Sequence, residues 1–125
     1  MGRSEKDNTV RSAVLFWCIT AAYMALLFYL SSSFAPSLPK LPRHSDKLLH
    51  MLAYMPLAFL LYGSLTRSGL KKYVFIIAFV AAGLYGITDE FHQSFVPGRD
   101  TDLLDLVADF TGAFIGSTGA RFLRI

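Results

Sequence analysis

Four long blocks of apolar residues, separated by short polar segments, constrain most strongly how this chain can fold. The blocks cover residues 13–30, 48–65, 73–88 and 103–120. A helix over the first block is about 27 Å long at 1.5 Å per residue, close to the roughly 30 Å hydrocarbon core of a bilayer. Backbone polar groups find no water there, so such blocks must form helices or closed barrels. The sequence therefore predicts an all-α integral membrane bundle of about four transmembrane helices, with residues 1–125 forming one domain.

Composition and charge exclude several other classes of protein. Hydrophobic residues make up 54% of the chain and charged residues 17%, whereas soluble domains carry about 25% charged residues. The net charge is only +3, and no face interleaves basic and aromatic residues, so a nucleic-acid partner is not expected. The single cysteine, Cys18, lies inside an apolar block and is interpreted as a packing residue. No nucleotide-binding loop, serine elbow or redox motif is present.

The segments around the apolar blocks suggest how the chain enters and leaves the membrane. The first block is interpreted as a retained anchor, because it is longer than a usual signal-peptide core and Pro36 crowds the cleavage position. Residues 1–12 are polar and are expected to be only weakly ordered. The linker at 31–45 contains three prolines and favours an extended path, while Pro56 should kink the second span mildly. The polar stretch at 89–102 is interpreted as a loop that could be partly re-entrant.

The distribution of lysine and arginine predicts the orientation. With four spans, the N-terminal segment, the turn after the second span and the C-terminal tail share one side and together carry eight of these residues. The opposite side carries four. Because basic residues concentrate in cytoplasmic loops, we expect a multi-pass protein of the inner (cytoplasmic) membrane with both termini cytoplasmic.

Polar residues recur at helical spacing in three of the spans. The stripes are Lys47, His50 and Tyr54 in the second span, Gly83, Gly86, Glu90 and Gln93 in the third, and Asp105, Asp109, Gly112 and Gly116 in the fourth. Each stripe occupies one helix face, and its charged end lies toward the outer surface. An ionised group at bilayer depth costs roughly 2.5–3.5 kcal/mol on insertion scales, so it usually has a partner or a role. The three helices are therefore predicted to share a polar site at the outer membrane face.

Most of these residues also have a purely structural interpretation. Gly112 and Gly116 are typical of close helix approach. Tyr54 suits an interfacial tyrosine belt, Asp89 a solvated helix end, and Asp105 the first turn of a helix.

Asp109 is harder to explain as a terminal residue, because it lies one turn deeper than Asp105. We expect it to be buried and paired, with Arg99 or Lys47 as its partner. A salt bridge that locks helices together explains such a pair as well as a functional site does.

These residues together resemble the motifs of the VanZ-like membrane protein family. The motifs are Asp46-Lys47-x-x-His50-x-x-x-Tyr54, then Asp89-Glu90-x-x-Gln93-x-Phe95-x-Pro97-Gly98-Arg99, then Asp105-x-x-x-Asp109-x-x-Gly112-x-x-x-Gly116. The resemblance covers roughly residues 46–116 and implies the fold and a membrane location. One departure is Asp109, where the family often has asparagine. The namesake member is associated with resistance to the glycopeptide teicoplanin, so a resistance-type role is one implied alternative.

The first functional hypothesis is a site that binds or processes an amphiphilic or anionic molecule of the cell envelope, such as a membrane lipid or a lipid-linked precursor. Arg99 would hold an anionic headgroup, because guanidinium pairs with phosphate or carboxylate in a bidentate manner. Glu90 or Asp105 would serve as general base with His50 as partner, which makes these three the candidate catalytic residues. The candidate binding residues are Lys47, Tyr54, Asp89, Gln93, Arg99 and Asp109.

Other hypotheses remain open at this point. Glu90, His92, His50 and Asp105 have metal-ligand chemistry, but Glu90 and His92 diverge on a helix and no tight His-Glu-x-x-His spacing occurs. We therefore expect no metal and no cofactor. A structural or accessory protein whose polar stripes only hold helices together is the main alternative, so the sequence does not decide whether this is an enzyme. Transport would require a dimer of four-span units, and a homo-oligomer stays an open alternative.

Overall fold

The computed structural model describes residues 2–32, 45–97 and 102–125, and these residues form a bundle of helices without a strand. The helices are α1 (Arg3–Ser31), α2 (Ser45–Arg67), α3 (Val74–Gln93) and α4 (Leu103–Phe122). The prediction of an all-helical bundle is confirmed. Residues 33–44 of the linker and residues 98–101 of the predicted re-entrant stretch lie outside the described residues.

The surface of the bundle is suited to lipid. Among the described residues, α1, α2 and α3 are long and apolar enough to cross a membrane, whereas α4, which carries two buried aspartates, does not meet that measure. Large apolar side chains such as Ile76, Leu84 and Phe114 are more than half exposed. Soluble monomers rarely expose apolar surface on this scale. The chain is therefore a membrane protein.

The helices extend beyond the predicted apolar blocks. α1 begins at Arg3, so the polar segment expected to be weakly ordered is helical. α3 continues to Gln93 and therefore carries its acidic residues as a last helical turn. The predicted blocks ended at the first charged or polar residues. The backbone hydrogen bonds of a helix can continue past these residues, so α1 and α3 are longer than their apolar blocks. α2 runs through Pro56.

The closest packing is between α2 and α4, which run parallel. A Cβ atom at Gly112 would overlap the carbonyl oxygen of Met51, and one at Gly116 would overlap that of Met55. Both pairs keep the same offset of sixty-one residues, so the two helices are in register over at least one turn. Small residues let backbones approach in this way, which is how membrane helices gain packing energy.

The other helices surround this pair through small residues and interhelical hydrogen bonds. The core contains Tyr54 and Leu57 of α2 with several alanines from α3 and α4. Tyr85 of α3 donates to the carbonyl of Met24 on α1 at 2.6 Å, and the hydroxyls of Thr20 and Ser64 lie 2.9 Å apart between α1 and α2. These bonds hold α1 although most of its surface faces outward.

Both chain termini lie at the same end of the bundle. The Nε atom of Arg67 donates to the hydroxyl of Ser12 at 3.0 Å, and its Nη1 atom donates to the carbonyl of Ile125 at 3.1 Å. The guanidinium also stacks 3.7 Å above the centroid of the Phe16 ring. The polar residues at the starts of α2 and α4 and at the end of α3 therefore meet at the opposite end.

Candidate functional site

The outermost contacts of this opposite end join α2 to the start of α4. Lys47 Nζ lies 3.0 Å from Oδ2 of Asp102 and 2.9 Å from Oδ1 of Asp105. Asp102 also caps α4, because its Oδ1 accepts a 3.0 Å hydrogen bond from the amide of Leu104. This capping bond and the nearby lysine hold the pKa of Asp102 below its ordinary value, so its carboxylate is charged at neutral pH.

One turn deeper, His50 pairs with the carboxylate that the sequence left without a clear partner. Its Nδ1 atom lies 2.9 Å from Oδ1 of Asp109, and its Nε2 atom lies 3.9 Å from Oδ2 of Asp105. The expected partners of Asp109 were Arg99 or Lys47, and the lysine assignment is wrong because Lys47 binds the carboxylates nearer the helix start. The parallel register of α2 and α4 matches residues by depth, so the deeper His50 meets the deeper aspartate.

The bond to Asp109 also orients the imidazole. When Asp109 is ionised, its carboxylate can only accept hydrogen bonds, so in that state Nδ1 of neutral His50 carries the proton and Nε2 is left as the acceptor. Asp109 is fully buried and Asp105 is nearly so. The pair therefore holds one ring nitrogen in a fixed direction beside two buried carboxylates.

α3 contributes two further acidic residues. Asp89 Oδ2 accepts a 3.0 Å hydrogen bond from the hydroxyl of Tyr54, which is itself buried. Glu90 Oε1 accepts a 2.8 Å hydrogen bond from the amide of Asp102, which ties the end of α3 to the start of α4. Gln93, one turn further on, is also buried.

The polar cluster is defined here as Lys47, His50, Tyr54, Asp89, Glu90, Asp102, Asp105 and Asp109. Five of its members are carboxylic acids, while only Lys47 and a protonated His50 carry positive charge. Within the described part of the chain, one buried oxygen each of Asp89, Glu90 and Asp109 has no hydrogen-bond partner. Buried polar atoms are nearly always satisfied, so these oxygens call for a proton, a water molecule or a ligand.

Gly86 explains how Asp109 fits between the helices. A Cβ atom at Gly86 would lie 2.9 Å from Oδ2 of Asp109 and 3.1 Å from its Cβ atom. The missing side chain leaves space for the aspartate against α3. Gly86 of α3 therefore faces α4, whereas Gly112 and Gly116 of α4 face α2.

The structure does not bring every candidate together. Arg99 lies outside the described residues, so its assignment to an anionic headgroup stays a prediction. His92 turns toward α1, where its Nε2 atom lies 2.8 Å from the hydroxyl of Ser32 and its ring stacks on Phe28 with centroids 4.3 Å apart. It is thus separated from His50, with which a metal site was considered. Within the described residues, no group of His, Cys, Asp or Glu is arranged to hold a metal ion.

Asp102 was missed as a member of the cluster, although it contacts both Lys47 and Glu90. The signal was available in the sequence. An aspartate directly before an apolar helical block is a typical N-cap, and this position places it at the same depth as the other charged helix ends.

A comparison with protein-family models connects this arrangement to a family. The model described as VanZ/LLP1 matches residues 4–124, nearly the whole chain. The chain belongs to the VanZ/LLP1 family. Comparisons with curated proteins and with solved structures returned no match.

The VanZ/LLP1 assignment confirms the resemblance seen in the motifs, and the match also includes α1, which those motifs did not cover. The motif residues of this VanZ/LLP1 protein that the structure describes are concentrated at the cluster and at the glycine contacts beneath it. Family membership does not by itself assign an activity to the cluster.

Proposed function

We propose that this protein binds an amphiphilic molecule of the cell envelope at the polar cluster, in the outer part of the cytoplasmic membrane. The observation that carries the proposal is a set of buried, unpartnered carboxylate oxygens beside an oriented histidine, at one end of a membrane bundle. Such groups are costly in a bilayer and typically mark binding or proton-transfer sites.

The charges of the cluster indicate what part of a ligand it would take. The free oxygens of Asp89, Glu90 and Asp109 accept hydrogen bonds, so they fit hydroxyl or ammonium groups of a headgroup. An anionic part would be held by Arg99, as the sequence predicts. A headgroup that carries both an anionic group and a hydroxyl or ammonium group would match both Arg99 and the acidic residues of the cluster.

His50 is the member of the cluster best suited to accept a proton from a bound hydroxyl. Its Nδ1 atom is held by Asp109, which leaves Nε2 as the acceptor, and histidine exchanges protons near neutral pH. Asp105 is less suited because Lys47 neutralises it, whereas Glu90 keeps one free oxygen. Processing of the bound molecule is therefore a second candidate function, with His50 or Glu90 as general base.

The structural alternative also has support, because the same contacts bridge α2 to α4, α2 to α3 and α3 to α4. The alternative predicts that the cluster contributes stability but retains no ligand. Two histidines of the chain can be compared to distinguish the binding proposal from the structural alternative. His50 lies in the cluster, while His92 lies at the same end of the bundle against α1.

Native mass spectrometry of protein purified in a mild detergent tests the proposal. We expect the wild-type protein and His92→Gln to retain an envelope amphiphile. His50→Gln should weaken retention about tenfold, since one lost hydrogen bond of roughly 1.4 kcal/mol has that effect. If all three proteins are folded and none retains an amphiphile, the cluster is a structural lock and the proposal fails.

A further inference from the structure

Asp89, Glu90 and Asp109 share one bonding pattern within the polar cluster. One carboxylate oxygen of each residue is held by a polar group of the protein, at 3.0, 2.8 and 2.9 Å respectively. The other oxygen of each is buried and has no hydrogen-bond partner in the described part of the chain. The three residues are only 7%, 9% and 0% exposed, respectively. Because the first oxygen is held, the carboxylate cannot turn its free oxygen toward water without breaking an existing bond.

The three carboxylates lie between facing surfaces of α3 and α4. Gly86 of α3 lies against Asp109, since a Cβ atom at Gly86 would be 2.9 Å from the free Oδ2 of the aspartate. Asp89 and Glu90 follow Gly86 by three and four residues, so they lie on the same face of α3, one turn nearer the outer end. Side chains of a helix lean toward its N-terminus, which directs these two carboxylates back toward Asp109. The fold therefore brings the three acids together.

The charge of the cluster is unbalanced. Its five carboxylic acids outnumber its two basic residues, Lys47 and His50, by three. Both basic residues already contact aspartates at the start of α4. Among the described residues, no ion pair reaches Asp89 or Glu90. Buried charge without a partner is costly, so the cluster should attract a cation.

A primary ammonium group fits these oxygens better than other groups do. It carries one positive charge and three N–H donors, and three buried oxygens lack a donor. A proton would neutralise one carboxylate, but it would create an O–H group that itself needs an acceptor. A hydroxyl group brings one donor and no charge. The described histidine and carboxylate side chains are not arranged to hold a metal ion.

We propose that the polar cluster binds the primary ammonium group of a lipid headgroup, with Asp89, Glu90 and Asp109 each accepting one of its N–H groups. This inference rests on the proposed function and names the headgroup chemistry of the bound amphiphile. A quaternary ammonium headgroup has the same positive charge but no N–H donor, so it binds less tightly. The site thus distinguishes amine headgroups by their number of N–H groups.

A series of lipids with identical acyl chains tests the inference. Phosphatidylethanolamine, its N-methyl and N,N-dimethyl forms and phosphatidylcholine all carry a positive nitrogen, while the N–H donors decrease in number along the series. The full-length protein in mild detergent is mixed with each lipid, and retention is measured by native mass spectrometry. We expect retention to fall roughly tenfold for each N–H removed, because a hydrogen bond to a charged group is lost. Phosphatidylglycerol, with hydroxyls only, should be retained no better than phosphatidylcholine.

Two variants and a matched control locate the ammonium site. Asp89→Asn keeps an oxygen for Tyr54, and Glu90→Gln keeps one for the amide of Asp102, but each removes a negative charge and a free acceptor. Each should lose the preference for phosphatidylethanolamine over phosphatidylcholine. Asp7→Asn removes an exposed carboxylate near the start of α1 and should keep the preference. Melting curves establish folding, and where a variant does not fold, the lipid series on the wild type decides.

Glycerophosphoethanolamine separates a lipid from a water-soluble amine, because it has the same headgroup without acyl chains. We expect it not to displace phosphatidylethanolamine when both are present at equal concentration. Displacement would overturn the assignment to a lipid and would make a water-soluble amine the ligand of the same ammonium site.

Equal retention of the ethanolamine, choline and glycerol lipids would overturn the inference, and so would a preference that persists in both Asp89→Asn and Glu90→Gln. If the purified wild type still retains an envelope amphiphile in that case, only the headgroup assignment fails and the proposed binding function stands. If it retains no amphiphile and none of the added lipids, both are wrong.

Discussion

His50 on α2 and the fully buried Asp109 on α4 form a pair, with Nδ1 of the histidine 2.9 Å from Oδ1 of the aspartate. The pair lies one turn below Lys47 and Asp105 and directly above the contact of Gly112 with Met51, which follows His50 in the chain. It is therefore one of a series of contacts between the parallel helices α2 and α4. The contacts at the end that holds the cluster are polar, and the next ones are close approaches of the two backbones.

The first prediction concerns the acceptor that Asp109 provides. Asp109→Asn keeps an oxygen for the imidazole, so we expect it to fold with a change in unfolding free energy within about 1 kcal/mol. Asp109→Ala leaves the Nδ1 donor of His50 without its acceptor and should cost about 1–3 kcal/mol. Thermal unfolding in detergent measures both. Equal losses for the two variants would show that the charge of Asp109 matters, and not its ability to accept a hydrogen bond.

The second prediction compares two glycines of the same helix. Gly112→Ala brings a Cβ atom against the α2 backbone and should destabilise the protein by about 1–3 kcal/mol, as overpacking does. Gly119→Ala meets no atom within 4 Å and should be neutral or stabilising by up to about 1 kcal/mol. Gly112→Leu should be worse than Gly112→Ala. A wild-type melting temperature for Gly112→Ala would mean that α2 and α4 do not approach this closely.

The sequence predicted the parts of this structure that depend on periodicity. Apolar length gave the number of helices, and helical spacing placed Lys47, His50 and Asp109 on faces that do meet. The pairing within the cluster could not be predicted, because it depends on the register of α2 against α4, which is set by glycine contacts between helices distant in sequence. The direction of His92 toward α1 could not be predicted either, because it depends on how α3 packs against α1.

The third prediction is the orientation, which rests on the distribution of lysine and arginine. In a Cys18→Ser background, Ser94→Cys should react with a membrane-impermeant thiol reagent added outside intact cells, because Ser94 is exposed at the end of the bundle that holds the cluster. Lys71→Cys, exposed at the opposite end, should react only after the cells are opened. The reverse pattern would place the cluster at the cytoplasmic face and remove its access to the outer leaflet.

The fourth prediction separates a structural lock from a site. Lys47→Met leaves Asp105 buried beside other acids and should cost about 3–5 kcal/mol, while Lys47→Met combined with Asp105→Leu should recover much of that loss. If the cluster is a site, the double variant should be folded but should retain no amphiphile. Retention at the wild-type level by the double variant would exclude this ion pair from the binding site.

The last prediction concerns Glu90, whose two carboxylate oxygens have different surroundings. Oε1 accepts the amide of Asp102, while Oε2 is buried without a partner in the described part of the chain. Glu90→Gln keeps the first contact and removes a buried charge, so we expect a folded protein that is as stable as the wild type or more so, because functional sites often sacrifice stability. Its cellular effect and its bound amphiphile should both be lost, since an amide cannot take a proton and replaces one acceptor oxygen with a donor. Glu90→Ala is the control for structure: it also removes the contact to Asp102 and should melt at a lower temperature than Glu90→Gln. Melting curves, native mass spectrometry and complementation of a deletion strain give the three measurements. A Glu90→Gln protein that complements fully and retains its amphiphile would leave the carboxylate with no role beyond joining α3 to α4.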